Sequence, residues 1–453
     1  MEPDKLLADT LAMAEDYLGG LGRRRVFPAP EALAALERFD EPLPEGPGAP
    51  LDTIRLLHRI GAPATTASAG GRFFGLVVGG ALPVALAASW LTAAWDQVVF
   101  NDATSPVGVK LEQVASRWLL AVLGLPDGCS VGFVTGATMG NFLCLAAARD
   151  ELLRRQGHDV QALGMAGAPP LRVVTSDQIH VTVIKALTML GFGTRQIERV
   201  ATDDQGRIVA DALPPLDERC IVIAQAGNVN SGASDPFRAI WERASPVGAW
   251  MHVDGAFGLW AAAAPERAAQ LDGVALMDSW ATDAHKWLNT PYDCGIAVCR
   301  HPEAVHRAMA TQAPYLKQGG TAAPKDMVPE FSRRARGIEV WAALRSLGRQ
   351  GVANLIEACC RHAQRLGEGL EAIGFRVLNR VVLNQVVATI GTPEQIAEIT
   401  RRVQASGACW FGTTSWRGQA ALRLSVSSWA TTGDDIEQTL AAIERATREV
   451  LVG

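Results

Sequence analysis

The chain has 453 residues, room for about three folding units of about 150 residues each. Apolar residues make up 48% and charged residues 20%, which allows a sizeable core and excludes disorder as a description of the whole chain. With 42 Lys and Arg against 47 Asp and Glu, the formal charge of −5 excludes the basic balance of a general nucleic-acid binder.

The start, Met1-Glu2-Pro3-Asp4, is acidic and no apolar run follows it, so no secretory signal is expected and a cytoplasmic location is. Leu6, Leu7, Leu11, Met13 and Leu18 fall at roughly helical spacing and predict a helical segment over 1–65. Pro42, Pro44, Gly46, Pro47 and Gly48 break it with a loop, and the helical pattern resumes over 51–60. From Phe73 to Trp95 no residue is charged, a length that raises the question of a membrane span. Gly79-Gly80 and Pro83 interrupt it and Asp96 closes it, so the expectation is a buried loop and a core helix, with no membrane contact.

A βα alternation begins near residue 131. Short runs at Val131–Val134, Leu171–Val174, Ile221–Ile223, Trp250–Val253, Ser279–Thr282 and Ile296–Val298 predict strands. The clearest intervening helix runs from Thr138 to Gln156 and ends on Arg154-Arg155 and Gly157, which suit a helix C-terminus. Such alternation predicts an α/β fold with a mostly parallel sheet, whose ligands sit at the carboxyl ends of the strands. The pattern changes near residue 340. A helix over 338–370, broken near Gly348 and Gly351, leads to strands at 377–378, 386–390 and 421–426. Helices from Pro393 and Asp434 alternate with them. The expected division is therefore 1–65, 66–340 and a small α+β unit at 341–453.

Eight cysteines are too sparse for a disulfide scaffold, and none forms a C-x-x-C, so zinc-ribbon and thioredoxin readings fail. Cys359-Cys360 are expected to be core thiols. Gly128-Cys129-Ser130-Val131-Gly132 fits the G-x-S-x-G hydrolase pattern, but its strand follows the serine instead of preceding it, which is the wrong order. There is no H-E-x-x-H and no P-loop, and no metal is expected. Arg333-Arg334-Ala335-Arg336 is expected to be structural or interfacial, with contact to an acidic substrate as the alternative.

Two segments carry chemistry. In Trp250–Gly258 a buried-looking strand ends in Asp254 and small residues follow. In Asp278–Trp287 a strand runs into a polar turn holding Lys286. Either residue alone could be a turn cap or a solvated charge. At neighbouring strand ends of one sheet, they suit pyridoxal phosphate (PLP). The lysine can form a Schiff base with the aldehyde, and the carboxylate can pair with the pyridine nitrogen, so the ring accepts electrons from a breaking bond at the substrate α-carbon.

His252-Val253-Asp254-Gly255-Ala256-Phe257, with Thr282-Asp283-Ala284-His285-Lys286-Trp287-Leu288-Asn289, resembles the signature of the group II PLP-dependent amino-acid decarboxylases. That family includes the aromatic amino-acid, histidine and glutamate decarboxylases. The similarity runs from about Arg72 to about Gly351, with a weaker echo at Leu422-Arg423-Leu424-Ser425. The resemblance implies the aspartate-aminotransferase-like fold (PLP fold type I) and a homodimer with active sites at the subunit interface. It also implies an L-amino-acid substrate and decarboxylation to the amine and CO2.

Residue by residue, Lys286 matches the Schiff-base lysine, Asp254 the pyridine-nitrogen partner, and His285 a residue near the cofactor phosphate. His180, in Thr175-Ser176-Asp177-Gln178-Ile179-His180, matches the histidine that stacks on the ring and is placed to assist proton transfer. Its alternative is a satisfied core histidine. Gly136-Ala137-Thr138 matches the phosphate-binding turn, and independently opens a helix whose free N–H groups favour an anion. Asn228 matches a polar contact beside the cofactor. Ala256, Thr282 and Asp283 lie in the two motifs and are placed at the cofactor with them. Phe73 and Phe74 match a stretch lining the substrate pocket, which favours an aromatic or large apolar side chain.

The sequence departs from the family in one place. Many members carry, on a mobile segment before the arginine-rich helix, a tyrosine thought to protonate the α-carbon. The corresponding stretch, Lys317 to Glu330, holds Gly319-Gly320, Pro324 and Pro329 but no tyrosine, and the whole chain has only Tyr17, Tyr292 and Tyr315. Relatives without it include aldehyde synthases, in which oxygen meets the carbanion and ammonia is released. A proton from His180 or from the partner subunit is the other solution. Transaminase or lyase chemistry, and a nonenzymatic PLP-retaining role, are further alternatives.

Overall fold

The structure is a computed structural model and describes residues 3–311 and 323–451. Its contacts divide the chain into two units, Ala81–Ala363 with Asn379–Gln385, and Met1–Gly80 with Gln364–Leu378 and Val386–Gly453. This differs from the expected three-part division. The helical stretch Gly337–Ile373 begins near the expected boundary at 340 and is broken, as expected, at Gly348, whose non-helical backbone with φ of 59° lies in the left-handed region that glycine tolerates and separates two helices.

The larger unit is built on a seven-stranded sheet, with strands β1 (Ser130–Val134), β2 (Arg172–Ser176), β3 (Ile197–Val200), β4 (Cys220–Gln225), β5 (Trp250–Asp254), β6 (Ser279–Asp283) and β7 (Gly295–Cys299). Their order is β1-β7-β6-β5-β4-β2-β3. All neighbours are parallel except β7, which runs antiparallel to both β1 and β6. Every residue of β4, β5, β6 and β7 is buried, as a sheet covered on both faces requires. The core joins the helix Ala137–Arg155, through Leu143, Leu145 and Leu152, to Val183 and Leu187 of the helix Val181–Met189 and to Ile221 and Ile223 of β4. Strand β3 has no counterpart in the sequence reading. It is a four-residue edge strand carrying charge, and its Glu198 meets Arg172 of β2 in a bidentate pair at 2.7 and 2.8 Å.

The uncharged stretch ends in the helix Pro83–Trp95, and the expected burial of that helix is corrected. Only Ala85 and Thr92 are buried, while Trp90, Leu91 and Trp95 are between 42% and 52% exposed. Its residues are apolar on every side, so periodicity carries no information about which face is covered. Among the described residues no helix is long and apolar enough to cross a membrane.

The smaller unit carries a four-stranded sheet, β8 (Arg376–Val377), β9 (Gln385–Thr389), β10 (Gly412–Trp416) and β11 (Gln419–Ser425), in the order β10-β11-β9-β8. The helix Pro393–Ser406 begins on a capping box formed by Thr392 and Gln395. Arg72 explains why the N-terminal helices belong here. Its guanidinium donates to the carbonyls of Ala408, Gly22 and Arg24 at 2.7–3.1 Å and pairs with Asp435 at 3.5 Å.

The arginine run is structural. Arg334 pairs with Glu339, Arg336 with Asp293 at 2.8 Å, and buried Arg333 grips Glu112 of the helix Pro106–Leu123 at 2.6 and 2.8 Å. Glu112→Ala is expected to destabilise the fold by about 3 kcal/mol, because it strips a buried guanidinium of its bidentate partner. Replacing both with leucine should recover most of that loss. Denaturant melts of the two variants check it.

Candidate active site

Strands β2, β4, β5 and β6 are consecutive parallel neighbours, so their carboxyl ends lie side by side on one edge of the sheet. Each delivers one expected residue there. His180 follows β2 and caps the helix Val181–Met189, Asn228 follows β4, Asp254 ends β5, and Lys286 lies in the turn Ala284–Trp287 after β6. Strand β1 runs the same way as β6, since both oppose β7, so Gly136 joins the same edge.

Register sets how the glycine turn meets the lysine turn. Val134 and Asp283 both pair with Gly295 of β7. A Cβ on Gly295 would lie 2.4 Å from the Cα of Gly136, so this approach demands glycine. Asp283 Oδ1 accepts the Ala137 N–H at 2.6 Å, and its Oδ2 lies 3.0 Å from Lys286 Nζ. Met139 and Gly140 turn their N–H groups back to the Gly136 carbonyl, which leaves the Thr138 N–H at the helix start for an anion. His285 Nδ1 accepts the Cys294 N–H at 3.0 Å, so the proton of its neutral ring is on Nε2, 3.6 Å from Asp283 Oδ1. Burial pulls the His285 pKa down, and Asp283 opposes that.

Asp254 is buried, and burial pushes its carboxyl up while the charges of His180 and Lys286 pull it back. Its Oδ1 accepts the Ala256 N–H at 3.3 Å, and its carbonyl accepts the Ala226 N–H at 2.9 Å. The Ala256 carbonyl accepts the Asp283 N–H at 2.9 Å and meets Thr282 Oγ1 at 3.5 Å, which ties the two motifs together. His180 Nδ1 contacts Thr182 Oγ1 at 2.7 Å. Asn228 Oδ1 accepts the N–H groups of Asn230 and Ser231, while its buried Nδ2 has no partner among the described residues. Asp235 clamps that loop, accepting the N–H groups of Ile208 and Gln225 at 2.7 and 2.6 Å.

Phe73 and Phe74 belong to the other unit. There Phe73 stacks on Trp410 at 4.9 Å, and the Phe74 N–H donates to the Trp410 carbonyl at 2.7 Å. Tyr315 and Gly319-Gly320 lie outside the described residues. The sequence reading missed Tyr292, whose ring stacks on His285 with centroids 4.3 Å apart. Its only signal was its spacing of six from Lys286, and the fold-back of a turn is not written in periodicity. Among the described residues no cluster of His, Cys, Asp or Glu could hold a metal.

An amine beside a carboxylate, a second carboxylate one strand away, a helix start open to an anion and an unpartnered buried amide form one donor set. It fits a phosphorylated heterocyclic aldehyde.

The sequence matches the Pyridoxal-dependent decarboxylase conserved domain over residues 32–390. It is 28% identical over 445 residues to Tryptophan decarboxylase 1 of Oryza sativa subsp. japonica, covering 89% of this chain and 85% of that one. It is 33% identical over 275 residues to 4-hydroxyphenylacetaldehyde synthase of Rhodiola rosea, covering 57% of this chain and 54% of the relative. In fold it is similar to the crystal structure of Oryza sativa TDC with PLP and tryptamine, with a TM-score of 0.91, 24% identity and 99% of both chains covered. The chain belongs to the pyridoxal-dependent decarboxylase family, as a carboxy-lyase of PLP fold type I with pyridoxal 5′-phosphate as its cofactor.

Proposed function

We propose that the substrate is an aromatic or large apolar L-amino acid, converted to its amine and CO2, and that Lys286 is the amine that holds the cofactor. The observation that carries this reading is the meeting of Lys286, Asp283, Asp254 and Gly136 at adjoining strand ends. When bound, pyridoxal phosphate supplies an electron sink for the pair that departing CO2 leaves on the α-carbon. Asp254 holds a proton at the ring nitrogen, a role suited to a buried carboxylate facing cationic groups. Gly136, Ala137 and Thr138 receive the phosphate at the helix start, with His285 beside them, and Asn228 gives its unpartnered amide to the cofactor. Ala256, Thr282 and Asp283 fix the positions of Asp254 and Lys286 through the bonds between the two motifs. His180 would cover the ring of the bound cofactor and limit its motion.

An aromatic side chain is supported by the names of the relatives, a tryptophan decarboxylase and a 4-hydroxyphenylacetaldehyde synthase. We assign a homodimer with active sites at its interface, supported by the exposed apolar helix Pro83–Trp95, and a cytoplasmic location, supported by eight free thiols. One observation favours a second reading, aldehyde synthesis. The stretch 317–330 has no tyrosine, and an aldehyde synthase is among the relatives. A screen of amino acids that reads CO2, ammonia and oxygen together decides between them. Amine and CO2 without oxygen uptake is the expected result, and aldehyde with ammonia and peroxide would replace it.

Lys286→Ala is expected to abolish turnover and the borohydride-reducible visible absorbance; a persisting band would move the attachment elsewhere. Asp254→Ala should lower kcat by about 100-fold, about 2.7 kcal/mol of barrier, with little change in melting temperature. Gly295→Ala should displace the Gly136 turn at a cost of about 1–3 kcal/mol and weaken cofactor retention, measured by dialysis and visible absorbance.

A further inference from the structure

We propose that the phosphate seat takes up one proton together with its ligand, and that Asp283 is the residue that shares this proton with the phosphate. The proposal rests on the reading of Gly136-Ala137-Thr138 as that seat.

A carboxylate already occupies part of the anion-binding turn. Consecutive N–H groups at a helix start point the same way, out of the first turn. Asp283 Oδ1 holds the Ala137 N–H at 2.6 Å, so an anion received at the next N–H, that of Thr138, adjoins this carboxylate. Gly136 lies close by, since a Cβ on it would be 3.6 Å from Asp283 Oδ1 and 3.4 Å from the His285 ring. The two anions therefore share one small, buried turn.

The local charges do not balance without a proton. Among the described residues, the one full positive charge in contact with Asp283 is Lys286 Nζ at 3.0 Å. That same charge, with His180, also pulls on Asp254. A phosphate monoester adds about 1.5 to 2 negative charges at neutral pH. The amine would then answer to two carboxylates and a phosphate, while being the group that engages the cofactor aldehyde. Like charges held side by side in a buried site do not both stay ionised. One proton between the carboxylate and a phosphate oxygen removes the repulsion and puts a charge-assisted hydrogen bond in its place.

The other groups that feel the Asp283 charge do not titrate between about pH 7 and 9. Burial pulls the His285 pKa down, so the ring is neutral there. Burial, and then Asp283, push Tyr292 up to about 12, and burial raises the Cys294 thiol as well. Asp254, one strand away, faces the ring nitrogen in the reading above. In this range the free phosphate and the free carboxylate are both ionised, and their complex holds one proton that neither brings. Binding consumes a proton, so affinity falls as pH rises.

Calorimetric titration in buffers of different ionisation enthalpy counts that proton. The probes are 4′-deoxypyridoxine 5′-phosphate and 4′-deoxypyridoxine. Both lack the aldehyde, leave Lys286 unmodified and carry the same ring nitrogen, so they differ only in the phosphate. At about pH 8 the full chain, freed of cofactor, is expected to take up about one proton more with the phosphorylated probe. Asp283→Asn keeps an acceptor for the Ala137 N–H and should lose that excess. The Kd of the phosphorylated probe should rise about tenfold more per pH unit in the native chain than in Asp283→Asn. Equal uptake with the two probes by the native chain overturns the proposal without any variant. An excess that persists in Asp283→Asn also overturns it and moves the proton to His285. A native chain that binds the phosphorylated probe no more tightly than the other fails the seat, and the proposal with it. A native chain that shows the excess but gives no borohydride-reducible absorbance with pyridoxal phosphate supports the proposal and fails the Lys286 reading alone.

Discussion

The site depends on the carboxylate of Asp283. It is buried at the end of β6, where an unpaired charge is costly. Two donors offset that cost, the Ala137 N–H at the start of a 19-residue helix and the Lys286 ammonium. One side chain thereby fixes the separation between the anion-accepting helix start and the amine, two parts of the chain about 150 positions apart. Each of its partners comes with the positive end of a dipole or a full charge, so removing either exposes the same buried anion. The contact is as much a constraint on the fold as on the chemistry.

The antiparallel strand β7 makes that contact geometrically possible. Inserted between β1 and β6, it begins at the edge where the other two end, and it brings a glycine to the junction. A strand parallel to its neighbours would end there and would need a crossover helix before returning. Here the link from Lys286 back to Gly295 is a short turn, tight enough to return Cys294 to the ring of His285. The topology therefore accounts for both the close approach of Gly136 and the placement of Tyr292.

Much of the larger unit was legible in the sequence, because β4 and β7 are nearly continuous apolar runs and β5 and β6 end on carboxylates followed by polar or small residues in an unusual order. Lys286 and Asp254 stood out for the same reason, as charges where a buried strand gives way to a turn. The edge strands β3 and β10 were not legible. Ile-Glu-Arg-Val and Gly-Thr-Thr-Ser-Trp are polar because one side of each strand is unpaired. The helix Pro83–Trp95 was read as core because local composition cannot distinguish an apolar helix that is covered from one that is not. The pairing of Glu112 with Arg333 spans 221 positions, and no local pattern announces a contact of that kind.

Beneath Asp254 the protein solves a different problem, holding β5 in place without another buried charge. Asn141 Oδ1 can only accept, so His252 Nε2 carries the proton and donates to it at 2.8 Å. In the neutral ring Nδ1 is then the acceptor and takes the proton of the Ser279 hydroxyl at 2.9 Å, while Ser279 Oγ accepts from Trp250 Nε1 at 3.0 Å. Burial pulls the His252 pKa down to about 3, so the ring is neutral and the chain of donors runs in one direction. Asn141 sits in the helix that begins at the Gly136 turn, His252 lies two residues before Asp254 on the same side of β5, and Ser279 begins the strand that leads to Lys286. The neutral relay thus ties β5 to the helix and to β6, the two elements that Asp283 links by charge, one layer deeper and away from the reacting edge. A charged link at that depth would compete with Asp283 for the ammonium and the helix start. A neutral one leaves the electrostatics of the edge to Asp254, Asp283, Lys286 and the two histidines beside them, His180 and His285.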